Sequence, residues 1–354
     1  MLRLDPVRLA RRQLEIDRER TGRFPHLARH KVERMTPSPL ALLRGSAPLF
    51  YELLEAHPVL FEGPPGEGWL VGDCHLENFG AYRAGTLSAR SRGARPGDDG
   101  VVFDLNDFDD AFVGPWRIDV LRLMTSLILG GREIGTDGPT TLDLCDGLLD
   151  AYVGAAFHAK KAVPACGTVK TLVEKVGARS RKQLLDARTE VVRGSRRFVR
   201  GPRYEDIPAK LQAKAERAFA RYTKHLPKGE RPGRDEAHVF DVVDAAFRVA
   251  GTGSLGCLRV ALLVQGKGGT DGAWIFDMKE EGTPSAACLV RPPKLEPAER
   301  VEAALRSSLA RPPRMIGTTS LRSSSMFVRR LAPQEDKLDL ARIDGAELAP
   351  LARQ

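Results

Sequence analysis

Residues 251–256, GTGSLG, fit a G-x-G-x-x-G pattern, and the segment after them decides the fold. A dinucleotide-binding fingerprint must open a helix, because the pyrophosphate rests on that helix's N-terminus. Here residues 257–264, CLRVALLV, follow; they are short, apolar and partly β-branched, which predicts a strand. The preceding run 240–251, FDVVDAAFRVAG, also reads as a strand, so the glycines turn the chain between two strands. A third strand, 273–281 (AWIFDMKEE), comes after the hairpin loop 267–272 (KGGTDG) and carries Lys279. Gly251, Gly253, Ser254 and Gly256 thus offer backbone amides near a lysine, a pattern suited to phosphate. The bland alternative is a glycine hairpin beside a snorkelling lysine.

Outward from this block, a helix at 297–309 and a strand at 325–331 (SMFVRRL) complete a β-rich region. Upstream, 227–237 (PKGERPGRDEA) reads as a linker, and the chain before it is mostly helical. Helices are predicted from Asp5-Pro6 to Gly22, with Val7, Ala10 and Leu14 on one face, and from Ser38-Pro39 through Leu43, Leu49 and Leu53 to about His57. Three more are expected: 117–131, apolar on most faces and therefore buried; 140–161, with a stripe of Leu142, Cys145, Leu149 and Tyr152; and about 206–226, with Leu211, Ala215, Phe219 and Tyr222 facing a core. Short strands are expected at 68–73, 78–83 and 100–108, with a Gly-, Ser- and Arg-rich mobile loop at 87–100.

The composition is that of an ordinary globular protein: 42% hydrophobic and 29% charged over 354 residues. No apolar run is long enough for a membrane helix, and the Arg-rich start is interrupted by Asp5, Glu15, Asp17 and Glu19. Five scattered cysteines form no C-x-x-C pair, which points away from a disulfide framework or a thiolate zinc site. A cytoplasmic location is expected. The formal charge of +9 favours anionic partners. Residues 179–203 hold nine basic and two acidic side chains, read as a solvated surface hairpin or loop. Phe198 is the one aromatic within that stretch, so base stacking is poorly supported and nucleic acid is not an expected partner.

Two further stretches concentrate polar chemistry. In 71–80, VGDCHLENFG, Asp73, His75, Glu77 and Asn78 follow a strand, either as an ordinary polar turn or as a site. In 103–119, Asp104, Asp107, Asp109 and Asp110 crowd one strand end with Phe103, Leu105 and Phe108 between them. Carboxylates that close repel unless cations compensate, and a divalent cation is the natural compensator. Mg²⁺ prefers one or two carboxylates plus phosphate oxygens. Arg44 is expected to be solvated, with substrate phosphate or the aspartate cluster as the alternative partner.

Taken together, these stretches resemble the protein-kinase-like superfamily, and within it the aminoglycoside-phosphotransferase type of catalytic loop, H-G-D-x-H-x-x-N. Val71 stands where that pattern has its leading His, while Gly72, Asp73, His75 and Asn78 match. The later I-D-F-x-x-A…G-x-x-x-x-D is similar to Asn106-Asp107-Phe108-Asp109-Asp110-Ala111, then Gly114 and Asp119. The resemblance implies that Asp73 orients or deprotonates an acceptor hydroxyl; His75 is read as hydrogen-bonding to backbone and shaping the loop, with no chemical role of its own. The resemblance implies Asn78, Asp107 and Asp109 as Mg²⁺ ligands. It implies that Lys279 pairs with the α- and β-phosphates of ATP beneath the amides of Gly251 to Gly256. Glu302 or Glu299, on the helix at 297–309, is then the acidic partner of Lys279.

In a kinase the glycine loop and lysine precede the catalytic loop; here they follow it. The expectation is an α+β, protein-kinase-like, two-lobed fold in circularly permuted order. A helical catalytic lobe spans 1–235 and a β-rich nucleotide lobe 236–354. The pattern also resembles a bacterial family catalogued as domain of unknown function 2252. It does so in RMTPSPLALLRGSA, GDCHLENFG, FDLNDFDDAFVGPWRIDVLRL, GTGSLG, MKE and FVRRL. That resemblance implies a further helical segment with a HARSGD-like run, where this sequence reads LAPLARQ. The expected activity is Mg²⁺-dependent phosphoryl transfer from ATP to an unidentified hydroxyl. The rivals are nucleotidyl or other transfer, a nucleotide-binding module without turnover, and metal-dependent phosphate hydrolysis through the aspartates and His75.

Overall fold

The computed structural model describes residues 4–63, 65–85, 100–158 and 165–354. The mobile loop expected at 87–100 lies, apart from its last residue, outside them. The architecture is α+β.

Helix α1 (Pro6–Thr21) starts where Asp5 accepts the Val7 amide at 2.9 Å with Pro6 at the first helical position. Its buried face is polar, against expectation: Gln13, Ile16, Asp17 and Thr21 are buried, whereas Val7 and Leu14 are exposed. The reason is Lys31 of α2 (His26–Met35), fully buried and paired with Asp17 at 2.9 Å. The helix predicted over 38–57 breaks at Ser46 into α3 (Pro39–Gly45) and α4 (Ala47–Ala56). Pro48 lacks the amide that a continuous helix needs, so the chain leaves helical geometry at Ser46 and the second helix starts afresh with the proline in its first turn.

Four short strands follow: β1 (Glu67–Leu70), β2 (Phe79–Arg83), β3 (Val101–Leu105) and β4 (Phe112–Pro115). β1 pairs with β4 and β2 with β3, both antiparallel. Helices α5 (Arg117–Glu133), α6 (Gly138–His158), α7 (Gly167–Gly177) and α8 (Arg181–Asp186) come next. On α6 the buried stripe is Thr141, Leu144, Cys145 and Leu148; of the predicted stripe, Cys145 is buried and Tyr152 packs against the core, whereas Leu142 and Leu149 are exposed. The basic run folds into α8 and the hairpin β5 (Thr189–Val192) and β6 (Ser195–Phe198), turned at Arg193 and Gly194 with positive φ. β7 (Tyr204–Glu205) and α9 (Ala209–His225) precede the sheet.

β8 (Val242–Arg248), β9 (Arg259–Val264) and β10 (Trp274–Glu280) form an antiparallel meander. After α10 (Pro297–Ser308), β11 (Ile316–Leu321) and β12 (Ser324–Leu331) return, giving the order β11-β12-β10-β9-β8-β7. Strand alternation assigns the two faces. Phe247, Val260, Leu262, Phe276, Met278 and Val328 pack on α9 through Ala215, Phe219 and Tyr222. The opposite face carries Asp277, Lys279, Phe327 and Arg329 toward the helical half.

The chain then crosses back. β13 (Glu335–Lys337) adds to β2, and α11 (Leu348–Arg353) packs into the core of α5 and α6 through Leu348 and Leu351. Packing therefore does not follow a boundary near 235. α9 belongs to the sheet core, and the last twenty or so residues belong to the helical one, because their apolar faces are complementary there. No helix among the described residues is long and apolar enough to cross a membrane.

Candidate functional site

The turn after β1 is anchored from α5. Asp119, in the first turn of that helix, accepts the amides of Val71 (2.6 Å) and Gly72 (3.1 Å). Burial nevertheless pushes its carboxyl up to about 6, against the pull of those two amides. Tyr51 donates to the Gly72 carbonyl. Gly72 has φ 87°, and a Cβ there would stand 2.0 Å from the Asp110 carbonyl oxygen, so no other residue fits.

Asp73, next in sequence, is held by Arg122, whose Nε reaches Oδ1 at 2.8 Å. Arg122 is fully buried, lies over the Phe50 ring and donates to the Leu43 carbonyl at 2.7 Å. Burial pushes the Asp73 carboxyl up, and Arg122 limits the rise. His75 Nε2 lies 3.9 Å from Asp73 Oδ2; burial and the nearby Arg44 and Lys337 hold the imidazole well below its usual range, so it is neutral at pH 7. Its Nδ1 is buried without a hydrogen-bond partner among the described residues. The backbone bond expected of His75 through its ring is thus absent there. Asn78 donates its side-chain N–H to the Asp73 carbonyl, and its amide oxygen makes no bond among the described residues.

The four aspartates after β3 have separate fates. Asp104 accepts the Leu105 amide at 2.8 Å, and Asp110 accepts from the Ser285 amide at 2.8 Å and its hydroxyl. Asp107 and Asp109 line a cleft of about 280 Å³ together with Asp73, His75, Asn78, Gly251, Gly253, Ser254 and Lys279. Residues from three distant stretches of sequence therefore share one cavity. Protein cations do the compensating: Lys337 bonds Asp107 at 3.1 Å and Lys279 pairs with Asp109. Burial opposes charge on Asp107, but Lys337 and Lys279 outweigh it and hold the carboxyl well below the ordinary range. Burial and repulsion from Asp107 push Asp109 the other way.

Lys279 is buried yet held above the usual lysine range by Asp109 and Glu281. Glu281 lies 3.4 Å away and, like Asp109, is pushed up by burial; Asp109 makes the closer ion pair with Lys279. This corrects the expected partner. Glu302 pairs with Arg306 one turn along α10 at 2.8 Å and lines a different hollow with Tyr222 and Thr318; Glu299 caps the start of α10. The helix instead presents Arg300, which donates to the carbonyls of Asp109 (3.0 Å) and Gly282 (2.9 Å) and also to that of Ala111.

The glycine-rich turn joins β8 to β9 and reaches over Asp73. A Cβ on Gly253 would lie 3.9 Å from Asp73 Oδ2 and 3.8 Å from the Arg44 carbonyl oxygen. Gly256 differs: with φ 103° and the Arg20 carbonyl 2.1 Å from a would-be Cβ, it seats the turn on α1 and does not line the cleft. Arg44 also lines the cleft, paired with Glu77 at 2.8 Å, so it is not a solvated surface side chain.

Mg²⁺ can be tested against these donors. Among the described residues no group of three or more His, Cys, Asp or Glu side chains is disposed to hold a metal. The available set is an ionised Asp107, Asp109 and the Asn78 amide oxygen. That is too few for a protein-only cage but fits an ion that arrives with phosphate oxygens.

Sequence reasoning missed four of these groups. Arg122 was visible as a cation three residues after Asp119 in an otherwise apolar helix, where a buried charge demands a partner. Glu281 was visible two residues beyond Lys279. Tyr51 and Lys337 left no local signal, since the first arrives by helix packing and the second by the pairing of β13 with β2.

No curated protein and no solved structure matches the chain. A family model described as an uncharacterized protein conserved in bacteria (DUF2252) matches residues 23–354. Its span takes in the Asp73 loop, the Asp107 turn, the glycine-rich turn and Lys279, and the chain belongs to the DUF2252 family.

Proposed function

We propose that this protein is a Mg²⁺-dependent phosphotransferase that moves the γ-phosphoryl group of ATP to a hydroxyl-bearing acceptor, on a kinase-like framework in permuted order. The observation that carries the reading is the convergence, in one cleft, of Asp73, Asn78, Asp107, Lys279 and the glycine-rich turn. The β-rich half supports it too: a glycine turn between two strands, a lysine on the third and then a helix is the order of parts in kinases. Permutation needs only nearby surface termini in the ancestral order.

In this reading the acceptor oxygen attacks the γ-phosphorus, its proton passes to Asp73, and the bond to the β-phosphate oxygen breaks to release ADP. The raised pKa of Asp73 suits a proton acceptor that Arg122 keeps oriented. Mg²⁺ held by Asn78, Asp107 and Asp109 would neutralise charge on the transferring phosphates. Lys279 would exchange part of its bond to Asp109 for phosphate oxygens, and the amides of the glycine-rich turn would cover them.

The test is calorimetric titration of Mg·ATP into the wild type and into Asp107→Asn. Metal-dependent binding that weakens at least about tenfold in the variant is expected. No binding to the wild type at millimolar ATP would overturn the reading. Product mass then separates phosphoryl from nucleotidyl addition.

A further inference from the structure

The cleft does not end at Lys279. It continues beneath the cleft-facing side of the sheet into a hollow of about 310 Å³, also lined by Asp107, Asp109 and Lys337. An outer hollow of about 640 Å³ adjoins it, with Arg248, Arg329 and Lys337 lining both. The outer hollow is lined by six basic side chains, Arg179, Arg188, Arg203, Arg248, Arg329 and Lys337, against the acidic Glu335 and Asp336.

The acids are already committed. Asp336 pairs with Arg179, and Glu335 with Arg329 at 2.8 Å. Asp277 of β10 is shared by two arginines: Arg259 takes both oxygens through Nε at 2.9 and 3.0 Å, and Arg248 takes what remains. Burial therefore outweighs Asp277 at Arg248 and draws its pKa down to about 10. Among the described residues, Arg248 Nε and Arg188 Nη1 are buried without hydrogen-bond partners, and no ion pair engages Arg188 or Arg203. A concave surface with surplus, partly desolvated guanidinium donors is complementary to an anion with several oxygens. An apolar or cationic ligand would leave those donors uncompensated.

We propose that this arginine-lined extension is an anion subsite that holds phosphate groups of a ligand whose other end reaches Asp107 and Lys279. Those phosphates have two possible sources, the nucleotide's own chain or a phosphorylated acceptor. The choice of source rests on the phosphotransfer reading; the subsite itself does not.

The experiment titrates inorganic pyrophosphate into the full chain, with and without saturating Mg·ATP. It compares the wild type, Arg188→Gln/Arg203→Gln, and Arg193→Gln as an exposed control outside the hollow. Neither Arg188 nor Arg203 pairs with an acid among the described residues, so the double variant is expected to keep the wild-type Tm, and Arg203→Gln alone serves if it does not. Pyrophosphate should bind the wild type, bind the double variant at least about tenfold more weakly, and bind the control as it does the wild type. Binding that persists beside Mg·ATP assigns the subsite to the acceptor. Competition with Mg·ATP assigns it to the nucleotide. Pyrophosphate binding without any Mg·ATP binding would end the phosphotransfer reading and leave the subsite standing. No pyrophosphate binding at millimolar concentration, or binding indifferent to Arg188 and Arg203, would overturn the subsite even if Mg·ATP binds.

Discussion

The two turns that meet across the cleft are built by opposite means. From Val71 to Asn78 the backbone and side chains are tied to the helical half at nearly every step: Asp119 on two amides, Tyr51 on the Gly72 carbonyl, Arg122 on Asp73, Ser126 on the Leu76 amide at 3.1 Å. From Gly251 to Gly256 the turn has Arg34 on the Gly251 carbonyl, Ser254 on the Ala250 carbonyl at 3.2 Å and a long bond from Arg259 at 3.4 Å to the same oxygen. The first turn commits buried charge to fixing one carboxylate, as the general-base role proposed for Asp73 needs. The second is seated at Gly256 and free at Gly253, which suits a cover that must admit a ligand.

If that contrast is right, the largest stability loss comes from the first turn's buried pair. Arg122→Met should cost about 3–5 kcal/mol, because Asp73 is left buried without its counter-charge. Urea unfolding of the variant measures this directly. A loss under about 1 kcal/mol would mean that the Arg122–Asp73 pair is dispensable and the turn is held some other way.

The glycines sharpen the comparison. Gly72→Ala combines a left-handed backbone with overlap on the Asp110 carbonyl, and should cost roughly 2–4 kcal/mol. Gly253→Ala meets nothing closer than 3.8 Å and should leave Tm nearly unchanged, while its methyl group reaches toward Asp73 and weakens Mg·ATP binding. Equal melting shifts for the two variants would erase the distinction between an anchored and a free turn.

The same contrast marks what could be read in advance. The glycine turn was legible because its chemistry is local: G-x-G-x-x-G, the strands either side and Lys279 lie in one short stretch. The Asp73 turn was legible in its residues but not in its support. Arg122, Tyr51 and Lys337 reach it by packing and by strand pairing across most of the chain, and no local periodicity encodes that. Helices with one apolar stripe, such as α9, emerged as read; α1 did not, because its buried face is held by the Asp17–Lys31 pair, which looks like surface in a sequence. The aspartate cluster was read as calling for a metal, yet two lysines from other strands already offset part of its charge.

Acid should undo the footing of the glycine turn before neutral pH does. Asp277 lies beneath it, and although burial opposes its charge, Arg248 and Arg259 hold its carboxyl well below the usual range. A carboxyl depressed by folding contributes stability that is complete above the unfolded value of about 3.9 and is lost as pH falls through the folded one. The stability difference between wild type and Asp277→Asn should therefore be constant from pH 7 to about 5 and shrink below about 4. A difference that grows on acidification would show that the two arginines do not favour the ionised form.

The smallest effect should come from Ser254, and it tests the comparison where it is most exposed. Among the described residues its hydroxyl bonds the Ala250 carbonyl alone, at 3.2 Å, and the residue is half-buried at the cleft wall. Ser254→Ala removes one partly solvated bond, worth about 0.5–1 kcal/mol at most, and leaves no buried charge behind. Because the turn is already loosely held, most of that loss should fall on the free energy of local opening. Amide hydrogen exchange should then quicken at residues 251–256 and stay unchanged at 71–78. Quickening in both turns at once would mean that they open as one unit, and that the Asp73 carboxylate is only as well fixed as the turn above it.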